Sequence, residues 1–111
     1  MSVGDRTEQR LGGPTVLATT TTTVATVSAS RVEVLKQIII TNTDTVDRTF
    51  SLAIGNAAVA ANRIISSLPI GANDIMVLDT ALVLTATETL QGLADANSAV
   101  NVTIVGWEKE V

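Results

Sequence analysis

Asp74, Asp79, Glu88 and Asp95 are the residues of this chain best suited by type to chemistry. Two carboxylates at the right separation can hydrolyse a glycosidic bond, one as acid and the other as base or nucleophile. Several together can hold calcium through oxygen ligands. Their spacing matches no calcium loop, and all four fall at or near expected turns, where a carboxylate is ordinarily solvated. The chain has no histidine, so the commonest general base and the commonest metal ligand are both missing. It has no cysteine either, which excludes a disulfide framework and a thiolate zinc site. Its serines have no histidine partner and no Gly-x-Ser-x-Gly elbow. A lysine mechanism would rest on Lys36 or Lys109, and nothing around them supports one. Asn101-Val102-Thr103 matches a glycosylation sequon but lies inside an expected strand, where chance explains it. The expectation is a protein with no catalytic residue, no metal and no cofactor: not an enzyme.

The residues that must be positioned are therefore those of a framework. The chain has 111 residues, of which 46% are hydrophobic and 16% charged. That length suits one domain, and the apolar content is ample for a packed core. Aromatic residues are scarce, Phe50 and Trp107 alone. The core must come from Val, Ile, Leu and Ala, a mixture that favours a pleated sheet. Net charge is −4, and the seven basic residues are scattered along the chain. No basic patch forms, so no nucleic-acid partner is expected. No apolar run approaches the roughly 20 residues of a membrane helix, and the polar opening MSVGDRTEQRLGGP lacks a signal-peptide core. No membrane partner is expected; the chain is expected to be made in a host cytoplasm.

Residues 1–15 hold Asp5, Arg6, Glu8 and Arg10 and then Leu-Gly-Gly-Pro. They have little to bury and are expected to form an N-terminal arm, with residues 16–111 as the folded domain. After Pro14 the texture changes. The run Thr19–Thr23 contains no proline and leads into an apolar stretch, so it reads as strand rather than as a mucin-like stalk. Val24 and Val27 stand three apart, which breaks the period, and a bend is expected at Ser28–Ser30. In RVEVLKQIIITN a change of face near Leu35 would put Ile38 and Ile40 in the core and leave Ile39 outside. TFSLAIG alternates with Phe50, Leu52 and Ile54 inward and Thr49, Ser51 and Ala53 outward. AAVAANRIISSLP reads as a loop and a short strand. Further strands are expected in IMVL, in ALVL, in TATETLQGLADA and in AVNVTIVGW, where Val100, Val102 and Ile104 share a face. Six to eight strands at spacings of about 8–12 residues imply a single antiparallel β-sandwich, jelly-roll-like.

Several of these stretches resemble small bacteriophage virion proteins. They are Ile38–Asn42, Thr49–Gly55, Leu78–Leu84, Leu90–Gly92 and Asn101–Gly106, within residues 32–108. Members often carry Gly-Asp before the Leu/Ile-Gln strand, where this chain has Thr87-Glu88. The resemblance implies a β-sandwich present in many copies on a phage particle, either decorating the capsid or associated with the tail. On that basis the expected function is capsid decoration: a symmetric homo-oligomer, expected as a trimer, bound to the phage major capsid protein at the virion surface and stabilising it. A tail-associated or host-contacting binding module is the alternative. Trp107 has two readings, a lid over one end of the sandwich or an anchor in a subunit contact. The expected interface residues are Arg6, Arg10, Leu11, Ile39, Val105 and Trp107. A mean hydropathy of +0.40, with an outer surface low in charge, supports association.

Overall fold

From Thr15 onward Thr, Val and Ile are abundant, and the backbone follows their preference. A computed structural model describes residues 9–55 and 62–110, and these contain eight strands and no α-helix. They are β1 (Gln9–Val16), β2 (Thr22–Thr26), β3 (Arg31–Asn42), β4 (Arg48–Ile54), β5 (Arg63–Ile70), β6 (Ile75–Leu84), β7 (Thr89–Ala94) and β8 (Val100–Glu110). The first sheet has the order β1-β8-β3-β6 and the second β2-β7-β4-β5. The pairs β1/β8, β2/β7, β3/β6 and β4/β5 are all antiparallel. They are the rungs of one long hairpin, folded over so that pairs alternate between sheets. Contacts β8/β3 and β7/β4 then close each sheet. This winding makes the fold a jelly roll, as expected.

The core lies between the sheets. β3 contributes Leu35, Ile38 and Ile40, β4 contributes Phe50 and Leu52, and β8 contributes Val100, Val102 and Ile104, all buried. Each such side chain contributes about 1.5–3 kcal/mol by leaving water. The change of face expected near Leu35 is a β-bulge. The register of β3 slips between Leu35 and Gln37 against both neighbours, and Lys36 is exposed. One inserted residue moves the inward set from odd to even positions. Gly106 lies opposite Leu35, where a Cβ would overlap the Val34 carbonyl oxygen. A second bulge, between Thr23 and Ala25 of β2, accounts for the broken Val24–Val27 period.

Three local expectations change. Residues 9–15, expected in the arm, belong to β1, so the sandwich reaches back at least to Gln9. Gly12, Gly13 and Pro14 do not end the strand because β1 is an edge, where bulges and proline are tolerated. Gly12 also lets the sheets approach: a Cβ there would stand 2.8 Å from the Val24 carbonyl oxygen. The Thr run is divided, with Thr22 and Thr23 in β2 and Thr19–Thr21 in the crossing between sheets. IMVL and ALVL form one strand, β6. The bend expected at Ser28–Ser30 is present, closed by Arg31 N donating to Ser28 O at 3.1 Å. Residues 1–8 and 56–61 lie outside the described residues, and Arg6 with them.

Asn42 pins one end of the sandwich. Fully buried, its Nδ2 lies within hydrogen-bonding reach of the carbonyls of Val46 (2.9 Å), Ile70 (3.2 Å) and Gly71 (3.1 Å). Its Oδ1 accepts from Asp44 N at 3.0 Å. The β3–β4 and β5–β6 turns are thereby joined through one side chain. At the other end the Thr85–Glu88 turn holds Thr87 at a φ of 67°. That left-handed conformation is the one a glycine adopts freely. Glu88 compensates by accepting from Thr85 N at 2.7 Å and Thr85 Oγ1 at 2.8 Å.

Candidate interface on the first sheet

Registers define which side chains stand together on the outer face of the first sheet, because directly opposed residues point to the same side. One row runs Trp107–Val34–Val83 across β8, β3 and β6. The next runs Arg10–Val105–Gln37–Asp79 across all four strands. Then come Thr103–Ile39–Val77 and Val16–Asn101–Thr41–Ile75. Val32, opposite Lys109, extends the face beyond Trp107. Exposure is high for Ile75 (62%), Val77 (51%), Val83 (51%) and Val16 (49%). Ile39, Val105 and Trp107 are half-buried among them. Charge stands at the margins in Arg10 on the β1 edge, Asp79 on the β6 edge and Lys109 near the end of β8, and within the face in Lys36, exposed at the β3 bulge beside Gln37 and Asp79. Gln37 Nε2 donates to Asp79 Oδ1 at 3.2 Å, closing that row.

Four of the six residues expected at an interface, Arg10, Ile39, Val105 and Trp107, are therefore on one face. Leu11 is not: it is half-buried and packs against the core. Sequence reasoning missed Val34, Val77 and Val83. In β6 both parities are apolar, Ile75, Val77 and Val83 on one and Met76, Leu78 and Leu82 on the other, so alternation alone does not say which side is covered.

The outer face of the second sheet has different chemistry. Thr23 Oγ1 donates to Gln91 Oε1 at 3.0 Å, and Gln91 Nε2 donates to Thr89 Oγ1 at 2.9 Å. Thr89 Oγ1 in turn donates to the Gly55 carbonyl. Ser51 Oγ accepts from Ser67 N at 2.9 Å. Ser51 and Ala53, expected to face outward, do so by register yet are buried. Between the edge strands β5 and β6 the sandwich opens into a groove of about 360 Å³ lined by Ile38, Ile64, Ile65, Leu68, Leu78 and Leu82, with Asp79 and Thr80 at its margin.

The carboxylates do not gather into a site. Asp74 and Glu88 hold their own turns, and Asp95 accepts from Thr49 N at 3.2 Å. Asp79 lies within β6, not at a turn as expected. Among the described residues no group of three or more His, Asp or Glu could hold a metal ion. Nor is any helix among them long and apolar enough to cross a membrane. Asp44 makes an ion pair with Arg48 at 2.7 Å. That hydrogen bond, with one from the Thr45 N–H, holds its carboxyl below the ordinary value. Glu88 is held low by the Thr85 N–H and hydroxyl. Glu33 behaves oppositely. It faces inward with 5% exposure, its Oε1 has no hydrogen-bond partner, and Glu108 stands directly opposite on β8. Burial first, and the Glu108 charge second, push its carboxyl up.

No family model matches the chain, and no curated protein matches it. Solved structures do. A subunit of Bacillus endospore appendages, described as a novel family of disulfide-linked pili, is 9% identical with a TM-score of 0.53, and the alignment covers 100% of this chain and 95% of that one. A chain of infectious bursal disease virus, Gx strain, is 8% identical with a TM-score of 0.44, covering 94% of this chain and 30% of that one. At such identity the first likeness establishes the fold alone.

Proposed function

We propose that this chain is a structural subunit of a bacteriophage particle: a capsid decoration protein that assembles as a symmetric homo-oligomer, binds the outer capsid surface and stabilises it. The observation that carries the assembly is the outer face of the first sheet, where Val34, Ile39, Val77, Val83, Val105 and Trp107 form a contiguous apolar patch across three strands and Lys36 is the one charge within the face. An apolar surface of this extent is unusual on a free monomer. The resemblance of residues 32–108 to small phage virion proteins supports the location. The jelly roll suits the role, since it presents a four-stranded face backed by a second sheet and a shared core. Contacts would be non-covalent: the appendage subunit of similar fold is described as disulfide-linked, whereas these 111 residues include no cysteine. Stability of the assembly then comes from buried area and from repetition, because symmetry multiplies each weak capsid contact.

Co-sedimentation with empty capsid shells of the same phage, made without this protein, tests the reading. Saturable binding at a fixed ratio to the major capsid protein is expected. Failure to bind mature shells, with the protein nonetheless present in virions, would overturn decoration and place it at the tail.

A further inference from the structure

Resting on the reading of this face as an assembly surface, we infer that its occupant is a second copy of the same face, packed sheet to sheet about a twofold axis parallel to the strands, so that Arg10 of each copy meets Asp79 of the other.

The argument starts from the row Arg10–Val105–Gln37–Asp79. Its two charges are opposite in sign and stand on opposite edges of the sheet, with Val105 and Gln37 between. Two faces can be apposed by a twofold axis lying in the interface in two simple ways. An axis across the strands places Arg10 over Arg10 and Asp79 over Asp79, which is repulsive at both margins. An axis along the strands reverses the row, placing Arg10 over Asp79 twice. Only the second arrangement is electrostatically self-complementary, as an isologous interface must be.

The centre of the face supports the same choice. With the axis along the strands each row meets itself, so Thr103–Ile39–Val77 covers its own copy and Trp107–Val34–Val83 does likewise. Apolar groups are brought against apolar groups, and the one charge within the face, Lys36 at the β3 bulge, borders the same surface hollow as Asp79 of its own copy, so it adds no like-charge contact across the pair. Aligned packing of two sheets within about 30° is the ordinary sandwich geometry. Four strands about 4.8 Å apart and roughly ten residues long offer on the order of 600 Å² per copy. About 1,200 Å² in a pair is at the lower end of specific, stable interfaces. Trp107 is then an anchor within the contact rather than a lid over one end. A threefold arrangement cannot apply one flat face to itself, so the pair replaces the trimer expected from the sequence.

The test uses the whole chain. Analytical ultracentrifugation should give a dimer. Arg10→Glu alone and Asp79→Arg alone should each weaken it on the order of 10-fold or more, and the double exchange should restore it. Both residues are exposed, so circular dichroism should show unchanged folding. A second measurement uses the absence of native cysteine. Within one copy Arg10 and Asp79 are three strand spacings apart, about 14 Å, too far for a bridge. The double variant Arg10→Cys, Asp79→Cys should therefore oxidise to covalent dimers, and neither single variant should do so efficiently. A monomer or trimer at all concentrations, a dimer indifferent to the charge changes, or single-cysteine variants that crosslink as well as the double would each overturn the inference. A monomer that still saturates capsid shells would overturn it while leaving the decoration role standing.

Discussion

The two sheets of this sandwich turn opposite chemistry outward. On the second, Thr23, Gln91 and Thr89 satisfy one another through hydrogen bonds that end on the Gly55 carbonyl. On the first, Val34, Ile39, Val77, Val83 and Val105 cover the strands with side chains that have no hydrogen-bonding groups, and the Trp107 ring lies beside them. Both sheets have four strands and share one core, so the contrast is not a requirement of the fold. A sheet that faces solvent needs alternating polar residues; one that faces protein on both sides reads as nearly continuous apolar sequence. In the first sheet β6 follows the second pattern, while β3 and β8 add Val34, Ile39, Val105 and Trp107 to an outer face that also holds polar residues, and this difference is what directs the functional reading to it.

The strongest way to break the contrast is to remove the bulge that separates the faces of β3. Gly106→Ala introduces a Cβ into the Val34 carbonyl. A loss of about 3 kcal/mol or more is expected in urea unfolding, because backbone rather than a flexible side chain must yield. Next comes Ile39→Asp. It should weaken association about 100-fold, read by sedimentation, while thermal unfolding of the dilute chain changes little. Thr26→Asp, exposed on the second sheet, should leave association unchanged. Equal effects of the two would erase the distinction between the faces. Gln91→Ala should reverse the pattern. It removes the bonds that Gln91, itself buried, makes to Thr23 and Thr89 and should cost about 1 kcal/mol of stability without altering association.

The smallest effect is a pH dependence on the inward side of the first sheet. The Glu33 carboxyl is raised above its ordinary value of 4.5, so the folded state holds this proton more tightly than the unfolded chain. Its contribution is therefore most favourable at low pH and is lost as pH rises above 4.5 through the folded value. Asp44 and Glu88 are held low, so what they contribute is present above 3.8 and 4.5 and is lost as pH falls below those values through the folded ones. Glu33→Gln should flatten the fall above 4.5 and leave the acid limb intact. A profile unchanged by the substitution would mean that Glu33 finds a partner in solution.

Much of the fold was legible. TFSLAIG and NVTIVG alternate at the period of a strand, and Phe50, Leu52, Val102 and Ile104 are buried as that period requires. The slip at Leu35 was readable because two apolar sets of opposite parity meet in one strand. The start of the domain was not. Gly12, Gly13 and Pro14 carry breaker chemistry, and only pairing with β8 makes them a strand. The candidate interface was half legible: Ile39 and Val105 stood out as apolar residues on an outward parity. Val77 and Val83 did not, because β6 is apolar on both parities.

The sequence by itself determined an all-β chain, its bulge, its inward residues and the exclusion of histidine, cysteine and thiolate chemistry. Those are local matters, set by propensity, side-chain period and composition. Only the tertiary structure decided that β1, β8, β3 and β6 lie side by side, because strand order arises from pairings distant in the chain. It is this order that places Arg10 and Asp79 at opposite ends of one row, and gathers residues from 10 to 107 onto a single apolar face.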